Sequence, residues 1–250
     1  MEIAVDGAKA HVDDGPDGDP SAPAVLLLHG AGQAGVVWLD QVAALAAAGR
    51  RPLAVDLPGH GQSEGNPPAS IGGGADWCFR FLDALAIEAT AVAGFSMGAL
   101  TALEMAARAP DRMRSLALCG VAARMPVHPK LPALAEANDP EAAQLIGRWG
   151  HENANMSDET IALMAAAGPG VLHAGLKACD DYKDALEAAG RVSCPAVLVL
   201  GEKDLMTPPE GAAALAEALA DARTVILPGC GHMMMVEASE QVSAELVAAL

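Results

Sequence analysis

A serine, an acid and a histidine stand in an order along this chain that would serve acyl transfer. The serine is Ser96, within Gly94-Phe95-Ser96-Met97-Gly98. This G-x-S-x-G pattern places a hydroxyl on a tight turn, and its glycines let neighbouring backbone pass close on both sides. A short apolar run, Ala91-Val92-Ala93, precedes the turn and a helical pattern follows it to about Ala109. A glycine-lined turn without chemistry has the same composition, and the strand–helix setting is what favours a nucleophile. A serine hydroxyl at neutral pH needs a base. Of the seven histidines, His232 lies in Pro228-Gly229-Cys230-Gly231-His232, a glycine-rich loop directly after the last apolar run. His11 is near the start, His29 and His60 occupy early glycine-rich loops, and His128, His151 and His173 lie in a region without strand signals. The acid that would hold His232 in one tautomer is Asp204, in Gly201-Glu202-Lys203-Asp204. Glu202 is too close to the preceding strand, and no carboxylate follows the strand ending at Cys119. With Pro208-Pro209 just beyond, Asp204 also suits the start of a turn.

Attack on a carbonyl further requires N–H donors aimed at the developing oxyanion. Met97 is one, because its amide opens the helix after Ser96 and gains from the helix dipole. The other is expected from His29-Gly30-Ala31-Gly32, with Ala31 as the donor and Gly32 as the runner-up. Met125, Trp149, Met206 and Met233 are candidate walls of an acyl pocket, since methionine adapts to varied apolar shapes. Core packing explains each of these four equally well. The run Met233-Met234-Met235 cannot all face one side of a helix, and Trp38 reads as core.

The elements that must carry these residues alternate between strand and helix. Ala24–Leu28, Pro52–Val55, Ala91–Ala93, Leu116–Cys119, Ala196–Leu200 and Thr224–Leu227 are continuous apolar runs, the mark of parallel strands buried on both faces. Helical patterns cover Trp38 to Ala48, ending at Gly49, then Ala75 to Ala86 after Gly72-Gly73-Gly74, and Ser239 to Ala249 at the end. From Val121 to Gly190 the rhythm breaks into Ala-rich helical stretches divided by Pro and Gly, which predicts an inserted helical segment. A parallel sheet covered on both faces puts its site beyond the carboxyl ends of the strands. The loops after Leu28, Ala93, Leu200 and Leu227 lie there.

Composition excludes several functions. The 250 residues, 52% of them hydrophobic, suit one α/β domain with a modest insertion. A net charge of −17 opposes binding to nucleic acid or anionic membrane. Five cysteines without metal-ligand spacing fit a reducing compartment. The acidic N-terminus lacks the basic and apolar parts of a signal peptide, and no run is long enough to span a bilayer, so a cytoplasmic location is expected. No G-x-x-x-x-G-K-[ST] loop or dinucleotide fingerprint is present, and no cofactor or metal is expected.

Taken together, LLLHGAG, VDLPGHGQSEG, GFSMGA, LGEKD and GCGHMMMVE resemble the α/β-hydrolase superfamily, in its order and over nearly the whole chain. The resemblance implies an eight-stranded, mostly parallel sheet flanked by helices, with residues 121–190 as a helical cap. It implies the triad Ser96, Asp204 and His232, and casts His29 and His60 as scaffold. Members that open epoxides or cleave carbon–halogen bonds carry Asp where this chain has Ser96. The expected reaction is hydrolysis of a small-molecule carboxylic ester through an acyl-enzyme. An enol-lactone, thioester or carbon–carbon substrate, or a ligand-binding module without turnover, are the alternatives.

Overall fold

The continuous apolar runs form the inner strands of one sheet. The computed structural model describes residues 1–15 and 19–250. The strands are β1 (Glu2–Val5), β2 (Ala8–Asp13), β3 (Ala24–Leu28), β4 (Arg51–Val55), β5 (Thr90–Phe95), β6 (Met113–Cys119), β7 (Ala196–Gly201) and β8 (Ala222–Leu227). They lie in the order β1-β2-β4-β3-β5-β6-β7-β8. The pairs β1–β2 and β2–β4 are antiparallel, and every pairing from β4 to β8 is parallel.

The helices that cover the sheet are α1 (Leu39–Ala47), α2 (Ile71–Ala84), α3 (Met97–Arg108), α9 (Pro209–Ala218), α10 (Met234–Glu237) and α11 (Ser239–Ala249). Between β6 and β7 come α4 (Lys130–Glu136), α5 (Pro140–Gly150), α6 (Ser157–Ala166), α7 (Val171–Asp181) and α8 (Ala185–Ala189). Alternate residues of β3 feed different cores: Leu26 and Leu28 join α2 and α3, while Val25 and Leu27 join α1 and α11. The side-chain period of two makes this division. It explains why β3 reads as unbroken apolar sequence. Trp38 is fully buried among the second group.

Two features depart from the sequence reading. The hairpin β1–β2 has no unbroken apolar run to announce it, because its residues are only partly buried. Its signal is the turn Asp6-Gly7, with φ of 53° and 82°. Asp-Gly with both residues at positive φ is a strong short hairpin turn. Helix α2 starts at Ile71, ahead of the glycine triplet. The Ser70 hydroxyl accepts from the Gly73 N–H at 3.0 Å and caps the first turn. The triplet lies within the first turn, where a Cβ on Gly72 would meet the end of the Arg108 guanidinium and one on Gly74 would lie in ordinary contact with Thr101 Cγ2 at 3.4 Å. The helix ends two residues before the predicted Ala86, which itself sits at φ 55°.

The region 121–190 is helical, and no strand occurs there among the described residues. Its first nine residues, 121–129, are irregular. Its last helix, α8, packs on α3 and α9 with Ala185, Ala188 and Ala189 fully buried. No single helix among the described residues is long and apolar enough to cross a membrane.

Candidate active site

Ser96 sits between β5 and α3 at φ 53°, ψ −113°. A non-glycine residue there stores about 1–3 kcal/mol of backbone strain, which the surroundings must hold. They do so through hydrogen bonds: the Ser96 N–H donates to the Cys119 carbonyl at 2.9 Å, and the Ser96 carbonyl accepts from Ala99 and Leu100 at 3.0 and 3.2 Å. Close packing completes the clamp. A Cβ on Gly94 would land on the Gly98 carbonyl, and a Cβ on Gly98 would land on the carbonyls of Leu28 and His29. The two glycines of the motif are therefore required by the approach of α3 to β5 and β3.

Asp204 follows β7 and His232 follows β8, strands that pair in register. The two loops are joined by Glu202 N–H to Leu227 O at 3.0 Å and Lys203 N–H to Cys230 O at 2.8 Å. Glu202, the rejected acid, accepts from the Gly229 N–H at 2.9 Å, away from the imidazole. His232 Nδ1 lies 2.7 Å from Asp204 Oδ2. The other oxygen, Oδ1, accepts from the Met206 and Thr207 N–H groups, both at 2.8 Å. Asp204 thus starts a turn with one oxygen and orients the imidazole with the other. Thr207 joins the pair: its hydroxyl donates to Asp204 Oδ2 at 2.7 Å and lies 3.2 Å from His232 Nδ1. Burial alone would push the Asp204 carboxyl up. The His232 charge, its hydrogen bond and the Thr207 donors outweigh that and hold the carboxyl at about 2. With an acceptor-only carboxylate on Nδ1, the imidazole proton belongs there, and Nε2 is left to accept.

His232 is 1% exposed. Its ring rests against Phe95, centroids 4.8 Å apart, with Gly120 beneath it. Ser96 and His232 share the wall of a cavity of about 940 Å³. Among the described residues no hydrogen bond links the Ser96 hydroxyl to His232. Catalytic hydrogen bonds often tighten only around substrate.

Ala31 lines the same cavity, while Met97 is buried beside Ser96. Neither amide N–H donates to a backbone or side-chain acceptor among the described residues. Met97 is at the first position of α3, where a helix leaves its N–H groups free. Met125, Trp149, Met206 and Met233 all line the cavity. Met234 and Met235, by contrast, are buried in the core. The sequence reading missed Thr207, Phe95 and Leu176. For Thr207 the signal was an Asp three residues upstream, a pairing common in side-chain-capped turns.

His29 and His60 lie outside the cavity, with ring centroids 4.7 Å apart. His29 Nδ1 donates to Gly30 O at 2.8 Å and Nε2 accepts from the Leu57 N–H at 3.1 Å. Burial, with the neighbouring His60, pushes His29 down to about 3, so it is neutral and supports the loop before Ala31. Cys179 also lines the cavity, but burial pushes its thiol up to about 12. Among the described residues no three His, Cys, Asp or Glu side chains gather as a metal ion would need.

Comparison with known proteins bears on the whole arrangement. A pimeloyl-[acyl-carrier protein] methyl ester esterase of Neisseria meningitidis serogroup B (strain MC58) is 30% identical over 209 residues, 76% of this chain and 79% of the relative. The enzyme of the same name from Chromobacterium violaceum is 32% identical over 227 residues, 84% of this chain and 87% of the relative. Among solved structures, the enol-lactonase from Burkholderia xenovorans LB400 superposes with a TM-score of 0.90 at 27% identity, covering 99% of this chain and 98% of that one. Residues 25–245 match the Alpha/beta hydrolase family, and the eight-stranded sheet with its flanking helices has that family's architecture. The chain belongs to the alpha/beta hydrolase family.

Proposed function

We propose that this protein is a serine hydrolase that cleaves a carboxylic ester of a small molecule through an acyl-enzyme. The observation that carries the reading is His232, held 2.7 Å from Asp204, on the wall of a cavity that Ser96 also lines from a strained turn. The names of the esterase relatives agree with it.

In this reading His232 Nε2 takes the proton of Ser96 as its oxygen attacks the ester carbonyl. Asp204 stabilises the imidazolium that forms. The Met97 and Ala31 N–H groups hold the oxyanion. His232 then protonates the leaving alcohol, and a water activated by the same imidazole hydrolyses the acyl-enzyme. Residues 121–190 act as a cap: Met125, Leu131, Ile146, Trp149, Met164 and Leu176 from that region line the cavity. Their apolar character favours an apolar acyl group. The polar members Arg124, His128 and Glu210 leave room for a polar leaving group. A cytoplasmic setting accords with five cysteines that are all free and buried.

A second reading, hydrolysis of an enol-lactone, is favoured by the name of the neighbour with the 0.90 TM-score. The two are separated by kcat/KM on p-nitrophenyl esters of graded acyl length beside a small enol-lactone. Turnover of the esters with a defined length optimum supports the first. Turnover of the lactone with negligible ester cleavage supports the second.

A further inference from the structure

The loop that carries His232 is tied to the helical region between β6 and β7 by one buried carboxylate outside the triad. Glu237, on α10, has a side chain only 5% exposed. Its Oε2 accepts from the Gly231 N–H at 2.7 Å, one residue before His232, and lies 3.9 Å from the Cys230 thiol. Its Oε1 accepts from the Asn153 N–H at 2.9 Å, just beyond the end of α5. His151, fully buried, directs Nδ1 towards Oε1 at 3.7 Å while its Nε2 meets the Thr160 hydroxyl at 2.9 Å. The same junction is closed by Met233 N–H to Gly150 O at 2.9 Å. It is tight: a Cβ on Gly231 would lie 2.9 Å from Glu152 N, Gly150 O and Glu237 Oε2.

A buried carboxylate is costly unless donors satisfy it. Here the donors come from two separate segments, the His232 loop and the end of α5. Satisfying the carboxylate therefore fixes those segments relative to each other. On the reading of His232 as the base, we propose that Glu237 is a positioning residue. It sets the His232 loop with one oxygen and latches the cap region with the other, so that base and pocket wall share one anchor. Glu237 does not reach the reacting atoms.

The test uses Glu237→Gln and Asn153→Pro in the full chain. The first is nearly isosteric but turns one acceptor oxygen into a donor facing an N–H. The second removes the cap-side N–H, at a residue whose φ of −92° is near the range of proline, and with it the Asn153 side-chain oxygen that accepts from the Asn155 N–H at 3.2 Å; Asn153→Ala, which loses that oxygen and keeps the N–H, is its control. For folded Glu237→Gln, kcat on p-nitrophenyl acetate falls about tenfold with little change in KM, because a small misplacement of the base is enough. The low-field ¹H NMR resonance of the His232 Nδ1 proton broadens with it. An unchanged kcat and an unchanged resonance in the folded variant overturn the positioning role. Asn153→Pro raises KM for a long-chain ester about threefold or more and leaves kcat on the acetate ester within about twofold. Unchanged KM on both esters overturns the latch. The resonance needs no turnover: a wild type inactive on every ester and on the enol-lactone, with a resonance that broadens in Glu237→Gln, contradicts the hydrolase reading and supports the positioning role.

Discussion

Gly175 of α7 lies directly against Ala31: a Cβ added at Gly175 would come within 2.8 Å of Ala31 Cβ and 3.1 Å of Met97 Sδ. The helical region between β6 and β7 therefore rests on both residues whose amides are proposed to hold the oxyanion. Gly175→Ala should push the Ala31 loop away. Losing one such donor outright lowers kcat by about 10²–10³-fold, and a displacement should lower it by about tenfold. Alanine favours the helix by roughly 1 kcal/mol, so a folded variant with reduced kcat separates a catalytic effect from a folding one. Undiminished kcat would mean that Ala31 is not a donor.

The Asp204–His232 pair makes a graded prediction. Asp204→Asn should lower kcat by about 10⁴-fold with little change in KM, since the amide favours the wrong imidazole tautomer. Thr207→Val removes only the hydroxyl shared by the pair and should lower kcat by about tenfold, the order expected for one lost hydrogen bond to a charged group. Steady-state kinetics of both variants at one pH check the ranking. Equal losses would contradict it.

Trp149 lines the cavity with its ring 4.9 Å from that of His128. Trp149→Ala should extend the pocket and move the acyl-length optimum to longer p-nitrophenyl esters. An unmoved optimum would put the acyl group elsewhere in the cavity.

Acid should destabilise the fold through His29. Its folded value of about 3 lies below its ordinary 6.5, so the unfolded chain takes up the proton first. Stability therefore falls as pH drops from about 6.5 towards about 3, by on the order of a few kcal/mol. Buried His60, lowered in the same direction, adds to the loss. Asp204 adds to the loss only at the acid end, as its carboxylate, stabilising while ionised, is protonated between 3.8 and about 2. Melting temperature against pH should drop along this course, and His29→Gln should flatten it. An equal slope in the variant would rule out His29 as a source.

The inner strands and the turn that carries Ser96 were legible because burial on both faces and a strand–turn–helix motif leave continuous, local signals. Ser96, with its two glycines, is such a case, and so is His232 in its loop after the last strand. The hairpin β1–β2 was not legible as apolar sequence, since an edge hairpin need bury only part of itself; Asp6-Gly7 was its one clear mark. The start of α2 was misjudged because glycines were read as a loop, whereas the Ser70 cap starts the helix ahead of them. Thr207 had a local mark, Asp204 three residues upstream, but its approach to His232 spans 25 residues, and the partner of Glu237 is 84 residues away; no local pattern records such distances.

Labelling by a fluorophosphonate, read by mass spectrometry beside hydrolysis of p-nitrophenyl esters, tests Ser96 most directly. The wild type should turn over ester and take one label on Ser96. Ser96→Ala should take none and lose most of roughly 10⁶-fold catalysis, keeping only what binding and the oxyanion donors supply. A folded Ser96→Ala that retains wild-type turnover, or a wild type labelled at another residue, would contradict the assignment of the nucleophile.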